Sequence, residues 1–508
     1  SFSRRGVDLV RHAVAQRETG IVLDSGRGHF YDRNGQPITG DSFFALAVFP
    51  TTADMEPYER EIGELTNLLH IRRDEWDGFM RGLKQPSWWT GGGSSDRPVR
   101  LTESEAETVN RLAIPGVKAV ETVVRYPEQM AAKHLIGYIG QNPERIRREF
   151  AKQLNRGTLK PDSEIGNAGL EKTFEPYLQG IGEVSLSLFT DASRRPLSGL
   201  QARLIAPDNP YYPLKVTTTL DLRVQRGVES LLDRFGVRQG AVVVLDAENA
   251  DVIAMASRPD YDPYDVDPED DSWNNRALKA IAPGSVFKTV VAAAALEEGV
   301  VRPDERFHCD GTLGQYGFTC WLKSGHGDLT FEEAFAESCN IVFAQVVRRL
   351  TGAQIQSYAQ KLGLIGKIGW AEGEGAARWE QFDAEEVGRT FIGDRPSEDD
   401  GVLVQTAIGQ RDVRITPLQA ANMVVTLLNG GEVTSPRVVK DVRYRNGAVV
   451  RSFPERTLIE RGEGVSGRTA KRIARWMEEG VEYGTGKSLQ TAKWKLAGKS
   501  GTAETTYA

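Results

Sequence analysis

The sequence predicts an α+β protein in two parts, and three observations carry that expectation. Short apolar runs at Gly240–Leu245 and 252–257 read as neighbouring strands of a hairpin, the pattern of antiparallel sheet. Helix signals stand apart from these strands: Thr102 with Glu105, and Thr330 with Glu333, each form a capping box. The chain also changes character near residue 205, from mixed short elements to longer strand and helix patterns. The expected division is therefore 1–204 and 205–508.

Composition bounds the function. The chain has 508 residues, 40% hydrophobic and 26% charged, with mean hydropathy −0.39. These values exclude wholesale disorder and a multi-pass membrane protein, and the length suits two or three domains. A net charge of −7 without a long basic block makes a poor nucleic-acid binder. No run approaches the roughly 20 apolar residues of a membrane span. The N-terminal Ser1-Phe2-Ser3-Arg4-Arg5 has no signal-peptide character, so the chain reads as soluble as it stands.

In the first part, Asn34-Gly35 marks a hairpin turn, and 57–82 has helical apolar spacing. Gly91-Gly92-Gly93-Ser94-Ser95 reads as a flexible loop. A helix should run from the Thr102 cap to Leu112, a strand over 117–126, and another helix from about Leu170. In the second part, 214–220 alternates like a strand and 222–235 reads as a helix. The alanine-rich stretch beyond Ser285-Val286-Phe287-Lys288, ending at Gly299, reads as a buried helix. A capped helix from Thr330 leads to Ser338-Cys339-Asn340 and an apolar helix over 341–350. The segment 494–503 reads as a strand.

Three motifs can carry chemistry. Ser285 and Lys288 lie three apart at a helix start, where an amine can reach and deprotonate a weakly nucleophilic hydroxyl. Alone, this motif is better explained by a serine cap and a solvated lysine. Ser338 and Asn340 interrupt two buried helices, suiting a proton relay and a grip on a substrate amide, or plain helix-end capping. Ser272-Trp273-Asn274 has the same form. Lys499-Ser500-Gly501-Thr502 offers a cation and two hydroxyls suited to a carboxylate, with Gly501 permitting close backbone approach. Lys323-Ser324-Gly325 repeats those letters but sits among glycines and His326, and reads as a loop.

The three cysteines are Cys309, Cys320 and Cys339, and His308 and His326 lie near them. Cys309 and Cys320 are 11 positions apart, unlike the close knuckle of structural zinc sites, so the spacing speaks against zinc. A Cys309–Cys320 disulfide in an oxidising compartment, or free thiols, remain as readings.

In order, Ser285…Lys288, Ser338…Asn340 and Lys499-Ser500-Gly501-Thr502 are separated by 53 and 161 residues. That triplet resembles the active-serine penicillin-recognising enzymes. Asn275-Arg276-Ala277, Pro283-Gly284, Ala254-Met255-Ala256-Ser257-Arg258-Pro259, His326-Gly327, Gly409-Gln410, Thr416-Pro417-Leu418-Gln419 and Gly484-Thr485-Gly486 sharpen the likeness to class B penicillin-binding proteins. Gly26-Arg27-Gly28, Asp32-Arg33-Asn34-Gly35, 134–140 and Gly169-Leu170-Glu171 resemble that family's N-terminal module. Ser500 stands where many relatives carry threonine.

The resemblance implies the transpeptidase fold, an antiparallel sheet flanked by helices with an all-helical subdomain, on 205–508. It implies a dimerisation or pedestal module on 1–204, with about 41–165 a head-like insertion. It further implies a peptidoglycan D,D-transpeptidase with Ser285 as nucleophile, Lys288 as base and Ser338 as relay. Asn340, Lys499, Ser500, Gly501 and Thr502 would bind substrate, and backbone N–H groups of Ser285 and Thr502 would form the oxyanion hole. No metal or organic cofactor is implied. The implied partners are stem peptides, β-lactams and membrane-embedded cell-wall synthesis proteins. The implied location is the extracytoplasmic face of a bacterial membrane, with an N-terminal anchor helix and C-terminal strands lying outside this chain.

Three alternatives stay open. A β-lactamase or β-lactam sensor shares the catalytic fold but needs a deacylating base. A silent scaffold of a cell-wall complex would keep the fold without using the nucleophile. A D,D-carboxypeptidase would acylate identically and accept water.

Overall fold

The computed structural model describes residues 16–17, 20–91, 97–187, 203–314, 317–393 and 395–504. Most of the expected glycine–serine loop, and the N-terminal five residues, lie outside them.

The first part holds two four-stranded sheets. Strands Gln16–Arg17, Gly20–Asp24, Val184–Ser187 and Arg203–Ile205 pair antiparallel in that order. The long strand Asp41–Val48 pairs with Val117–Val124 along its whole length and with the short strands Ser87–Trp88 and Arg100–Leu101. Its Leu46 and Val48 pack with Trp76, Trp89, Val109 and Val117 in a core of their own. Helix Glu103–Leu112 carries the expected capping box: Thr102 accepts from the Glu105 amide and the Glu105 carboxylate accepts from the Thr102 amide.

The expected helix over 57–82 is two helices, Glu59–Leu68 and Arg73–Gly82. His70 between them has φ +53°, a left-handed conformation that no helix can continue through. The apolar period survives the break because both helices pack on the same core.

One sheet stitches the parts together. Lys215–Thr218 pairs parallel with His29–Tyr31 and antiparallel with Val439–Arg443, which pairs in turn with Val449–Ser452. Beside it lies a buried ionic cluster. The Arg27 guanidinium donates to Glu171 and Glu175, while Arg125 and the Tyr126 hydroxyl donate to the other Glu171 oxygen. Burial pushes the Glu171 carboxyl up, but Arg125 and Arg27 outweigh it and hold the carboxyl at about 2. Burial, with Arg125 beside it, brings His29 down to about 3, so the ring is neutral at pH 7.

In the second part Gly240–Leu245 and Val252–Arg258 form the expected antiparallel hairpin. Helix Leu222–Arg234 is capped by Asp221 and packs against the second strand. Gln225 closes that contact by exchanging two hydrogen bonds with the Met255 backbone. The strand Gly240–Leu245 is half-buried rather than buried. Among the described residues its only strand partner is Val252–Arg258.

The expected strand over 494–503 does not form. Its residues pair with no strand, and a strand is defined by its ladder partner. Helix Lys288–Glu297, with eight of its ten residues buried, is the axis of the helical core. Helices Asn340–Val347, Gly352–Lys361 and Gly467–Glu482 pack around it.

Replacing Glu171 with Ala leaves two arginines buried without their shared carboxylate. The variant should lose about 3–5 kcal/mol of stability in denaturant unfolding at pH 7. Because the folded pKa of Glu171 lies below its ordinary value, its stabilisation is complete above about pH 4.5 and vanishes as pH falls through about 2. The gap between wild type and variant should narrow over that window.

Candidate active site

Ser285 lies in a 3₁₀ turn, Gly284–Phe287, that runs directly into helix Lys288–Glu297. Glycine is required here by contact as well as by φ. Gly284 has φ +59°, and a Cβ on it would stand 2.3 Å from the Thr502 carbonyl oxygen. A Cβ on Gly409 would meet the Gly284 oxygen at 2.0 Å, and one on Gly501 would meet the Pro283 oxygen at 2.8 Å. Two backbone segments, at Gly409 and at Gly501–Thr502, therefore close on the serine turn. Segment 494–503 reaches the site by this approach and by the Gly498 amide bonding Met477 O, without a β-ladder.

Lys288 is 0% exposed at the floor of the site. Its Nζ lies 2.7 Å from Ser338 O, 2.7 Å from Asn340 Oδ1 and 3.1 Å from Ser338 Oγ. Burial pushes this amine well below its usual range, and the Lys499 charge pushes it further the same way. A neutral amine has two N–H groups, which the two carbonyl oxygens satisfy, and keeps a lone pair for a hydroxyl proton.

Ser338 sits where the chain turns from helix Phe331–Ala336 into helix Asn340–Val347. Its φ of +53° is left-handed for a residue with a Cβ, a cost of about 1–3 kcal/mol that the surrounding contacts must offset. Lys499 donates to Ser338 Oγ at 2.8 Å, so both lysines converge on one hydroxyl. Burial brings the Lys499 amine down to about 7. Ser500 shares a hydrogen bond of 2.7 Å with Thr485 Oγ1, and Ser500, Gly501 and Thr502 are exposed at the mouth.

The three motifs thus come together at one place. The Asn340 carboxamide accepts from Lys288 and donates to Thr319 O at 3.3 Å, joining the amine to a neighbouring loop. Sequence reasoning missed Phe343 and Phe335, whose ring faces lie 5.4 and 5.8 Å from the Lys288 and Lys499 ammonium positions. Their signal, an aromatic on a buried helix, is common to any core. Trp321 was missed as well; its indole donates to Glu337 O at the rim.

Of the two readings left open for Cys309 and Cys320, the structure has free thiols, as it does at Cys339. Cys309, Cys320, His326 and Cys339 place their donor atoms within 4.8 Å of one another. Two further donors, from a strand approach and a helix N-terminus, complete a set that no pairwise spacing reveals.

The three motifs meet at one turn of the second part, and a large N-terminal module precedes it. The chain belongs to the penicillin-binding protein family: residues 240–508 match the penicillin binding protein transpeptidase domain, and 22–207 the penicillin-binding protein dimerisation domain. It is 29% identical to stage V sporulation protein D of Bacillus subtilis over 516 residues, covering 97% of this chain and 73% of that protein. It is 27% identical to peptidoglycan D,D-transpeptidase MrdA of Haemophilus influenzae, covering 95% of this chain and 75% of that protein. A solved peptidoglycan synthase complex contains a chain of the same fold, with TM-score 0.67 and 24% identity, covering 99% of this chain and 85% of that one.

A lysine held below its ordinary pKa in the fold costs stability at low pH, and that cost disappears as pH rises. Lys499→Met should therefore be more stable than wild type at pH 6. The difference should shrink as pH climbs from about 7 towards 10.5, where folded and unfolded lysine carry the same charge. Denaturant unfolding at several pH values measures it.

Proposed function

We propose that this chain is a serine-type peptidoglycan D,D-transpeptidase. The observation that supports this best is the convergence of Lys288 and Lys499 on the Ser338 hydroxyl beside the Ser285 turn. In this reading 205–508 carries the chemistry, and 1–204, with its head-like insertion over 41–165, serves as a pedestal.

The reaction runs in two acyl transfers. Ser285 Oγ attacks the carbonyl between the two terminal D-alanines of a donor stem peptide, and its proton passes to the neutral Lys288. Backbone N–H groups of Ser285 and Thr502 stabilise the oxyanion, a contribution of about 3–4 kcal/mol per donor in comparable sites. The C–N bond breaks, and the departing D-alanine amine takes the proton through Ser338. Lys499, Ser500 and Thr502 hold the terminal carboxylate. The amine of a second stem peptide then attacks the Ser285 ester, forms the cross-link and frees the serine. Asn340 orients Lys288 and the loop at Thr319.

The enzyme would work on the outer face of a bacterial membrane within a cell-wall synthesis complex. No helix among the described residues is long and apolar enough to cross a membrane.

A β-lactam presents the same amide in a ring, so opening it tethers the leaving group in the site. Excess penicillin should leave one long-lived adduct per chain by intact mass, mapped by digestion to the peptide holding Ser285. The adduct should be absent in Ser285→Ala. It should form at least about a hundredfold more slowly in Lys288→Met, because a general base contributes about 10²–10⁴, while circular dichroism stays native. Rapid drug hydrolysis would favour a β-lactamase, and no adduct in the complete ectodomain a silent scaffold. Product analysis with donor peptide and an amine acceptor separates cross-linking from carboxypeptidase action.

A further inference from the structure

Three stretches of chain lie side by side next to the serine turn and carry an excess of arginine. The Gly284 amide donates to Gly409 O at 3.1 Å, so segment 409–415 starts against the residue before Ser285. Ile281 and Ile415 exchange two backbone hydrogen bonds, of 2.9 and 3.0 Å. Arg389 and Arg414 exchange two more, of 2.8 and 2.9 Å. Segment 409–415 is therefore held between the approach to the nucleophile and residue 389. Beside Arg389 the packing is close, since a Cβ on Gly388 would meet Leu364 O at 2.1 Å.

The backbone fixes these arginines without neutralising them. Arg414 Nη1 donates to Arg411 O at 2.8 Å and to Val413 O at 2.7 Å, and Arg389 Nε donates to Asp412 O at 3.3 Å. Among the described residues neither Arg389 nor Arg414 pairs with a carboxylate. Arg411 is half-exposed, and its Nε lies 3.7 Å from Asp412 Oδ2. Its φ of +59° is left-handed, a conformation uncommon for a residue with a Cβ and one that collects at ligand sites. Lys279 is matched by Glu386 at 3.2 Å, which leaves three guanidinium charges against Asp412 in a chain of net charge −7. Ile281, Val387 and Ile392 stand exposed beside them. Planar cations set along extended backbone, with aliphatic side chains next to them, suit a peptide that carries carboxylates.

We propose that Arg389, Arg411 and Arg414 form a subsite for carboxylates that a stem peptide carries upstream of its D-alanyl-D-alanine end. The subsite rests on the reading given under Proposed function and narrows its substrate to an anionic stem peptide over the amidated form. The reach is right. A peptide spans at most about 3.3–3.6 Å per residue, so carboxylates two or three residues upstream of the scissile bond lie within about 7–11 Å of Ser285. Arg411 stands two residues beyond Gly409, within about 7 Å of backbone from the contact with Gly284, and its side chain spans the remainder. Thr502 meets Gly284 on the side its Cβ would occupy, whereas Gly409 meets it through its amide and carbonyl oxygen. The terminal carboxylate at Lys499 and the upstream carboxylates therefore meet separate cations. These arginines touch no reacting atom, and their effect is on which peptide is bound.

The test uses paired synthetic stem peptides ending in D-alanyl-D-alanine, identical except that the upstream carboxylates are free or amidated. D-Alanine release by the full chain, with an amine acceptor present, gives kcat/KM for each. The free-carboxylate donor should be preferred about tenfold or more, a factor that one charge-assisted hydrogen bond supplies, and the difference should lie in KM. Raising salt from about 0.05 to about 0.5 M should shrink that ratio. Arg389→Ala with Arg411→Ala should bring it close to one, and Arg411→Lys should keep part of it. Arg411→Gly relieves the left-handed backbone, so it should fold at least as stably as wild type and still lower the ratio several-fold. Amidating the acceptor instead of the donor assigns the subsite to one strand or the other. Equal kcat/KM for free and amidated forms on both strands, or a preference that the double variant and Arg411→Gly retain, would overturn the subsite. A wild type that penicillin never acylates and that releases no D-alanine would instead sink the transpeptidase reading. Fluorescence anisotropy of the labelled free and amidated peptides on Ser285→Ala then decides the subsite without turnover: tighter binding of the free form supports it, and equal binding overturns it.

Discussion

A lysine with no exposure to solvent is the constraint on which the active site depends. Lys288 could not hold its charge at the floor of the helical core at small cost, because burying an ammonium costs several kcal/mol unless it is paired. No carboxylate is bonded to it. The oxygens of Ser338 and Asn340 meet its hydrogens, and a second cation stands beyond the same serine. Burial and like charge therefore act in one direction and favour the neutral amine. The chemistry a hydroxyl nucleophile requires follows from where the helix places the residue.

That arrangement is unfavourable for stability and has to be held from outside. Two amines converge on one hydroxyl, Ser338 has a left-handed backbone, and three glycine contacts bring separate segments within backbone distance of the serine turn. The apolar core of Phe331, Phe335, Phe343 and Trp476 beneath the site supplies the offset. Ridged packing of helices Lys288–Glu297, Asn340–Val347 and Gly467–Glu482 leaves little room for the motif to relax.

The N-terminal part meets a comparable demand by different means. Arg27, Arg125 and the Glu171/Glu175 pair are distant from one another in sequence, and each residue is nearly excluded from solvent. Their pairing locks the junction beside the sheet shared by the two parts, where His29–Tyr31 runs parallel to Lys215–Thr218. A buried charge cluster tolerates no partial loss, so movement at this junction is confined to rearrangements that keep every carboxylate paired.

The sequence alone determined features decided within a few residues. The capping boxes at Thr102 and Thr330, the helix after Asp221, the hairpin of Gly240–Leu245 and the serine–lysine turn all rest on hydrogen bonds or faces local to their segments. The ordered motifs also made the family legible, because residue type and order survive where geometry cannot be read. Tertiary structure alone decided the rest. Alternation places Lys499 and Ser500 on opposite faces of a strand, but 494–503 has no ladder partner, and Lys499 reaches Ser338 while Ser500 meets Thr485. His70 broke a helix whose apolar period continued through it. The thiols of Cys309, Cys320 and Cys339 meet His326 only because two glycines close a loop onto a helix end. In each case the deciding partner lies on another element, and the free energy of that contact is absent from any window of sequence.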